Sequence, residues 1–182
     1  MPDKFRVTFA LILTAICTAA AAQEPIETRG AWRLMADGSD FALRTPALGA
    51  APGSTLSLHC RNAQQFYAFE VKSPALAARP RGEDIRISFK VDDDDQVWFN
   101  LATGPEGTVP ISHQTPFWII HAAITRSGAK AVAFTAADHS WQFALDGLRD
   151  LADRLIERCG FDPPRGAAER REEPTPDPQP KQ

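Results

Sequence analysis

Hydrophobic and polar residues alternate along most of the chain with the period of two that is typical of half-buried β-strands. The clearest stretch runs from Ile85 to Val91, and the pattern resumes from Val97 to Leu101 after the four aspartates Asp92–Asp95. These residues predict an antiparallel hairpin with an acidic turn. The same alternation predicts further strands around these apolar residues: Trp32 and Leu34, Phe41 and Leu43, Leu56 to Cys60, Tyr67 to Val71, Val132 and Phe134, and Trp141 to Leu145.

One segment between the later strands has helical periodicity. Thr115 is a candidate cap, Pro116 occupies a favoured first helical position, and Gly128 follows as a stop signal. The run Phe117–Ile124 is apolar almost throughout, so a buried strand stays open as an alternative.

A second helix is predicted near the end of the domain. Its apolar positions recur at helical spacing: Leu148, Leu151, Ala152, Leu155, Ile156 and Cys159. Asp146 is the predicted N-cap. Gly160 can adopt the left-handed conformation that ends a helix, and Pro163 prevents its continuation.

The first 22 residues have the features of a secretory signal peptide, with Lys4 and Arg6 before a short apolar run and small residues up to Ala22. We expect cleavage near Ala22 and a periplasmic or secreted protein. Lipidation at Cys17 is an alternative, but Ile16 before it is large for a lipoprotein site. The apolar run is too short for a membrane span of about 20 residues, so no transmembrane segment is expected.

The remaining cysteines, Cys60 and Cys159, are expected to form a disulfide in an oxidising compartment. Cys60 shares a strand face with Leu56 and Leu58, and Cys159 shares a helix face with Leu155. Both sulfurs should therefore point into one core. Because the bond closes a loop of about 100 residues, the chain-entropy description predicts that it stabilises the folded state by roughly 4–5 kcal/mol.

Charge and composition limit the class of partner and the extent of the folded domain. Removing Lys4, Arg6 and Asp3 from the chain's 20 basic and 23 acidic side chains leaves a net charge near −4, which argues against a nucleic-acid partner. Residues 27–161 are predicted to be one β-rich domain. Residues 162–182, which contain six prolines, are predicted to be a disordered tail.

Together these patterns predict a mainly β, α+β fold. We expect an antiparallel β-sandwich or curled sheet, with one late helix and a C-terminal helix linked to the sheet by the disulfide.

No motif in the sequence indicates catalysis, a cofactor or a metal. The Asp92–Asp95 run lacks the glycine and distant glutamate of a calcium-binding EF-hand loop, and is more simply a solvated turn. The histidines His59, His113, His121 and His139 lack zinc-binding spacing; we expect His121 at the border of the core and His59 in solvent. Serine-nucleophile signatures are also missing. The protein is therefore predicted not to be an enzyme.

One candidate partner-binding surface is visible on the predicted hairpin. Arg86, Ser88, Lys90, Trp98 and Asn100 should lie near one another on its non-core face. A tryptophan among cationic and hydrogen-bonding groups is typical of protein interfaces. The simpler expectation is that the Pro116 helix or a second sheet covers Trp98.

The order of these features resembles a known family. A strand ending in Leu56-Ser-Leu-His-Cys60 precedes the hairpin, and Phe143-Ala-Leu-Asp-Gly147-Leu148 leads into a helix ending in the second cysteine. From about Trp32 to Phe161 the chain is similar to the type VI secretion-associated TagO-like (VasI) periplasmic proteins, although members often carry further cysteines ahead of the domain. Invasion-associated locus B-like proteins are a weaker match.

The resemblance implies a non-enzymatic accessory protein that binds an envelope or secretion-system component. The alternative is an inhibitor of a periplasmic cell-wall hydrolase of the lysozyme type. Such inhibitors insert a loop into the enzyme cleft, and the Pro105–Pro110 loop, with Glu106 at its tip, is the candidate.

Overall fold

The computed structural model describes residues 24–38, 40–49, 52–61, 66–112 and 115–160. The predicted signal peptide, the predicted tail and His113 lie outside these residues. Within them, no helix has the length and apolar character needed to cross a membrane.

Ten strands and two helices make up the described part of the chain. The elements are β1 Glu27–Arg29, β2 Trp32–Asp37, β3 Asp40–Pro46, β4 Thr55–Arg61, β5 Phe66–Lys72, β6 Asp84–Val91, β7 Val97–Ala102, β8 Thr108–Ile111, α1 Thr115–Ile124, β9 Ala131–Ala136, β10 His139–Ala144 and α2 Leu148–Cys159. Short 3-10 turns at Pro74–Leu76 and Pro105–Gly107 flank the β6–β7 hairpin.

The strands form two antiparallel sheets. One has six strands in the order β1-β2-β3-β4-β5-β8, and the other has four in the order β10-β9-β6-β7. One hydrophobic cluster contains buried residues from both sheets and both helices. The predicted mainly β fold is therefore confirmed, including the β6–β7 hairpin.

The helix predicted from Thr115 is also confirmed, and the alternative of a buried strand is wrong. Phe117, Ile120 and Ile124 are almost completely buried. The ring of Phe117 stacks on Phe69 with centroids 5.1 Å apart, so α1 packs against the inner face of the six-stranded sheet.

The predicted N-cap of α2 is wrong. Gly147, not Asp146, precedes the first helical residue, and it has a left-handed φ of 82° without a side-chain cap hydrogen bond. A Cβ at Gly147 would lie 2.1 Å from the carbonyl oxygen of Arg29, so the turn between β1 and β2 packs against this corner. Close packing therefore sets the start of α2. Gly160 ends it in the left-handed conformation, as predicted.

A disulfide joins Cys60 at the end of β4 to Cys159 at the end of α2, with their Cα atoms 6.1 Å apart. Cys60 is buried, and Cys159 packs partly buried against the core. The predicted pairing and its location in the core are confirmed. The bond links α2 covalently to β4, which lies inside the six-stranded sheet.

Candidate partner-binding surface

The predicted surface residues of β6 and β7 come together on the outer face of the four-stranded sheet. Strand register places Arg86 opposite Asn100 and Ser88 opposite Trp98. The guanidinium carbon of Arg86 lies 4.5 Å from the centroid of the Trp98 ring, which is the geometry of a cation–π contact. We call Arg86, Lys90, Trp98 and Asn100 the Trp98 surface.

The expectation that Trp98 is covered is wrong. Its side chain is 45% exposed. The neighbouring β7 residues Val97 and Phe99 point to the core side, where α1 also packs, so Trp98 faces the opposite way. Sequence alone places Trp98 on one side of its strand but does not tell which side the later helix covers.

The base of this surface is polar and ordered. Ser88 is buried on the same face, and its hydroxyl oxygen accepts a hydrogen bond from the Nε2 amide of Gln96. Lys90, two residues further along β6, is half-buried. Ser88 therefore belongs to the support of the Trp98 surface, and Arg86, Trp98 and Asn100 form its exposed part.

A shallow cleft of about 510 Å³ adjoins the turn end of the same hairpin. Val97 and Phe89 form one wall, Ile119 and Ala123 of α1 form another, and the aspartates after Asp92 border it. Ile119 is 40% exposed. Sequence reasoning missed this apolar flank because the α1 pattern marks the buried stripe, while the contact between α1 and the hairpin depends on tertiary packing.

The four aspartates form an exposed turn, as predicted, and two of them also make specific contacts. Asp92 has a positive φ of 49°, and its carboxylate accepts the backbone N–H groups of Lys130 and Ala131 at 2.9–3.2 Å. These hydrogen bonds hold the pKa of Asp92 below its ordinary value. Asp94 pairs with Arg126 at 2.9 Å. No group of three metal-ligating side chains occurs within the described ranges.

His121 lies at the border of the core, as predicted. Its ring is 5.6 Å from that of Phe117 and 6.1 Å from that of Tyr67. Burial lowers the pKa of His121, because the imidazolium loses its hydration there. The aromatic surroundings are those of a packing residue.

The prediction that His59 points into solvent is wrong. Its side chain is only 18% exposed, and Nε2 lies 3.6 Å from Oε1 of Glu70 across the outer face of the six-stranded sheet. The nearby imidazole, followed by the charges of Lys72 and Arg44, lowers the pKa of Glu70. His59 is an element of this polar sheet face.

A second cleft, of about 440 Å³, lies beside the end of β5. At its base the buried hydroxyls of Ser54 and Ser73 are 2.9 Å apart, and Trp141 donates its indole N–H to the Ser73 oxygen at 2.9 Å. His139 is exposed at the rim, and its ring lies 6.0 Å from that of Trp141. The serines hold Trp141 in place, and they lack the serine–histidine contact of an activated nucleophile.

The loop considered for an inhibitor is shorter than predicted. Thr108–Ile111 is strand β8, which leaves the 3-10 turn Pro105–Gly107 as the protruding part. Glu106 is exposed there with φ 54°, and its carboxylate accepts a hydrogen bond from Lys72 at 2.8 Å. This contact lowers the pKa of Glu106.

No protein-family model, curated protein or solved structure matches this chain. Function is therefore inferred from the geometry of the chain itself.

Proposed function

We propose that the protein is a non-enzymatic binding module that attaches to an envelope or secretion-system protein through the Trp98 surface. The observation that carries this proposal is the exposed indole of Trp98 beneath the Arg86 guanidinium. Tryptophan and arginine are the residue types most enriched among the energetic centres of protein interfaces.

The proposed compartment is the periplasm. The Cys60–Cys159 disulfide is typical of an oxidising environment. The N-terminal sequence pattern adds independent support, because it has the order of a secretory signal peptide.

Site-specific photocrosslinking in cells of the source organism tests the proposal. A photoreactive phenylalanine analogue at position 98 should give a discrete adduct with an envelope protein, identified by mass spectrometry. The same analogue at Leu48 is the matched control, since Leu48 is 46% exposed on a different part of the molecule. Identical adducts from both positions, or none from position 98, would contradict the assignment.

Mutagenesis then measures how much of the binding depends on the indole. Trp98→Ala should weaken binding to the crosslinked partner by at least about 30-fold, as expected for an interface centre worth about 2 kcal/mol or more. Leu48→Ala should leave it unchanged.

The alternative proposal, inhibition of a cell-wall hydrolase, is supported by one feature, the exposed carboxylate of Glu106 at the tip of its turn. Purified protein should then slow a lysozyme-type enzyme, and Glu106→Ala should abolish the effect. An unchanged hydrolysis rate at excess protein would eliminate this alternative.

A further inference from the structure

The edge of the sheet beside Trp98 presents backbone groups for which the structure shows no partner. In an antiparallel pair, the N–H and C=O of one residue point to the same side, and this side alternates along the strand. The N–H of Thr103 donates to the Glu83 carbonyl at 2.9 Å, so Thr103 faces β6. By alternation, the backbone groups of Trp98, Asn100 and Ala102 point away from β6.

The next strand pair gives the same assignment independently. Asp92 donates its N–H to the Ala131 carbonyl at 3.0 Å, so even-numbered residues of β6 face β9. The odd-numbered residues of β6 therefore face β7, and they pair with the odd-numbered residues of that strand. In the part of the chain that the structure describes, no hydrogen bond reaches the outward groups of Trp98 and Asn100, whereas beyond the Ala102 end Gly104 donates its N–H to the Thr108 carbonyl of β8 at 2.7 Å.

The opposite edge of the same sheet, β10, is partly covered by other residues of the fold. On β10, the outward carbonyl of Gln142 accepts the N–H of Leu48 at 2.7 Å. The outward carbonyl of Ala144 accepts the indole N–H of Trp32 at 2.8 Å. Residues of the fold itself therefore donate to two of the outward carbonyls of β10.

Both edges of the six-stranded sheet carry protective features. Strand β1 is three residues long and contains Glu27 and Arg29, while Pro110 interrupts the donors of β8. Short length, charge and proline are known means of preventing edge-to-edge pairing. Among the described edge strands, β7 and β10 have none of these features, and β7 presents six uncharged residues in continuous register with β6.

The core side of β7 has apolar surface left to cover. Val97, Phe99 and Leu101 are only partly buried against the core. Their partners on β6, such as Ile87 at 1% exposure, are almost fully buried. A further strand beside β7 would cover the exposed part of this row with its own apolar residues.

Two cations on the outer face of the four-stranded sheet form no ion pair within the described ranges, although Asp84 lies two residues before Arg86 on the same strand face. Arg86 contacts the Trp98 ring and forms no ion pair with a described residue, and the same is true of Lys90. Outward side chains of an added strand would lie beside Trp98 and Asn100. Carboxylates at those positions would complement Arg86.

We propose that β7 binds an extended segment of the partner protein as a fifth strand of the four-stranded sheet. The segment alternates apolar residues, which face the core side, with acidic residues, which face the Trp98 surface. Strand addition gives affinity through main-chain hydrogen bonds and specificity through alternate side chains. This inference rests on the proposed function, since it describes how the Trp98 surface recognises its partner.

Amide hydrogen exchange of the full mature chain, measured by NMR, tests the proposal. The probe is a capped decapeptide that alternates valine and glutamate. In the free protein, the amides of Trp98, Asn100 and Ala102 should exchange at least 10-fold faster than those of Phe99 and Leu101. Saturating peptide should slow the three outward amides at least 10-fold.

A valine–lysine peptide of the same length is the matched control and should bind at least 10-fold more weakly. Outward amides that stay fast at millimolar valine–glutamate peptide would overturn the proposal. Protection that rises with protein concentration alone would also overturn it, because the edge would then bind a second copy of this chain.

Two further variants separate this proposal from the proposed function. Asn100→Pro removes one outward N–H and should abolish peptide binding, while Asn100→Ala should preserve it. The same pair is then tested on the crosslinked partner. If Trp98→Ala weakens that binding but Asn100→Pro does not, the Trp98 surface is correct and strand addition is wrong.

Discussion

Trp32 donates its indole N–H to the backbone carbonyl of Ala144 at 2.8 Å, although 112 residues separate them in the chain. Trp32 lies on the second strand of the six-stranded sheet, and Ala144 ends the edge strand of the other sheet. This hydrogen bond links the two sheets. It also satisfies a carbonyl that an edge strand would otherwise expose.

Replacing Trp32 by phenylalanine should lower the free energy of unfolding by about 1–3 kcal/mol, because the Ala144 carbonyl loses its partner in a buried site. Urea denaturation followed by circular dichroism measures the change. Trp98→Phe is the control: its ring is exposed, so the effect should stay within about 0.5 kcal/mol. Equal effects of the two substitutions would show that the indole N–H of Trp32 does not stabilise the fold.

Removing the disulfide with Cys60→Ala and Cys159→Ala should lower the free energy of unfolding by about 4–5 kcal/mol, since the bond closes a loop with a sequence separation of 99 residues. The measurement is the unfolding midpoint in urea. Wild-type protein unfolded in the presence of a reductant should approach the midpoint of the double variant. A loss of less than about 1 kcal/mol in the free energy of unfolding would mean that the packing of α2 holds the helix without the bond.

The alternation of residues was sufficient to predict eight of the ten described strands, because a sheet with one buried face imposes a period of two, but it missed the short strands β1 and β8. Ile87 and Phe89 are buried and Arg86 is exposed, as the pattern required. The burial of Cys60 followed from the same argument. These features depend on neighbours close in the sequence.

Features set by distant contacts could not be predicted. Whether Trp98 is exposed depends on which side of its sheet α1 packs. The conformation of Gly147 depends on the approach of Arg29 from the other end of the chain. The unpaired edge of β7 follows only from the strand order and the direction of the backbone hydrogen bonds. The candidate binding site is therefore only partly encoded in local patterns.

Asp92→Asn should reduce stability at pH 7 by less than about 1 kcal/mol, because the carboxylate is at the surface and screened by solvent. The hydrogen bonds from Lys130 and Ala131 lower the pKa of Asp92 in the folded state. Its contribution is therefore complete above the unfolded pKa of about 4 and is lost as pH falls through the folded pKa.

The difference between wild type and Asp92→Asn should accordingly disappear near pH 2, and urea titrations at several pH values measure it. Asp93→Asn is the matched control, since Asp93 is exposed in the same turn. A pH-independent difference would show that the charge of Asp92 is not responsible.

Gly147→Ala should be more damaging than Gly128→Ala, although both glycines have a similar positive φ, of 82° and 85°. A left-handed conformation costs an L-residue about 1–2 kcal/mol in either place. At Gly128 a Cβ meets nothing within 4 Å, whereas at Gly147 it would lie 2.1 Å from the Arg29 carbonyl oxygen. Overpacking of this kind adds about 1–3 kcal/mol, because the corner between the first hairpin and α2 must open. Urea unfolding of the two variants isolates this packing cost, since the backbone strain is shared and cancels in the comparison. Equal losses would mean that the corner is loose enough to admit a methyl group, and that α2 is positioned by its apolar face and the disulfide instead.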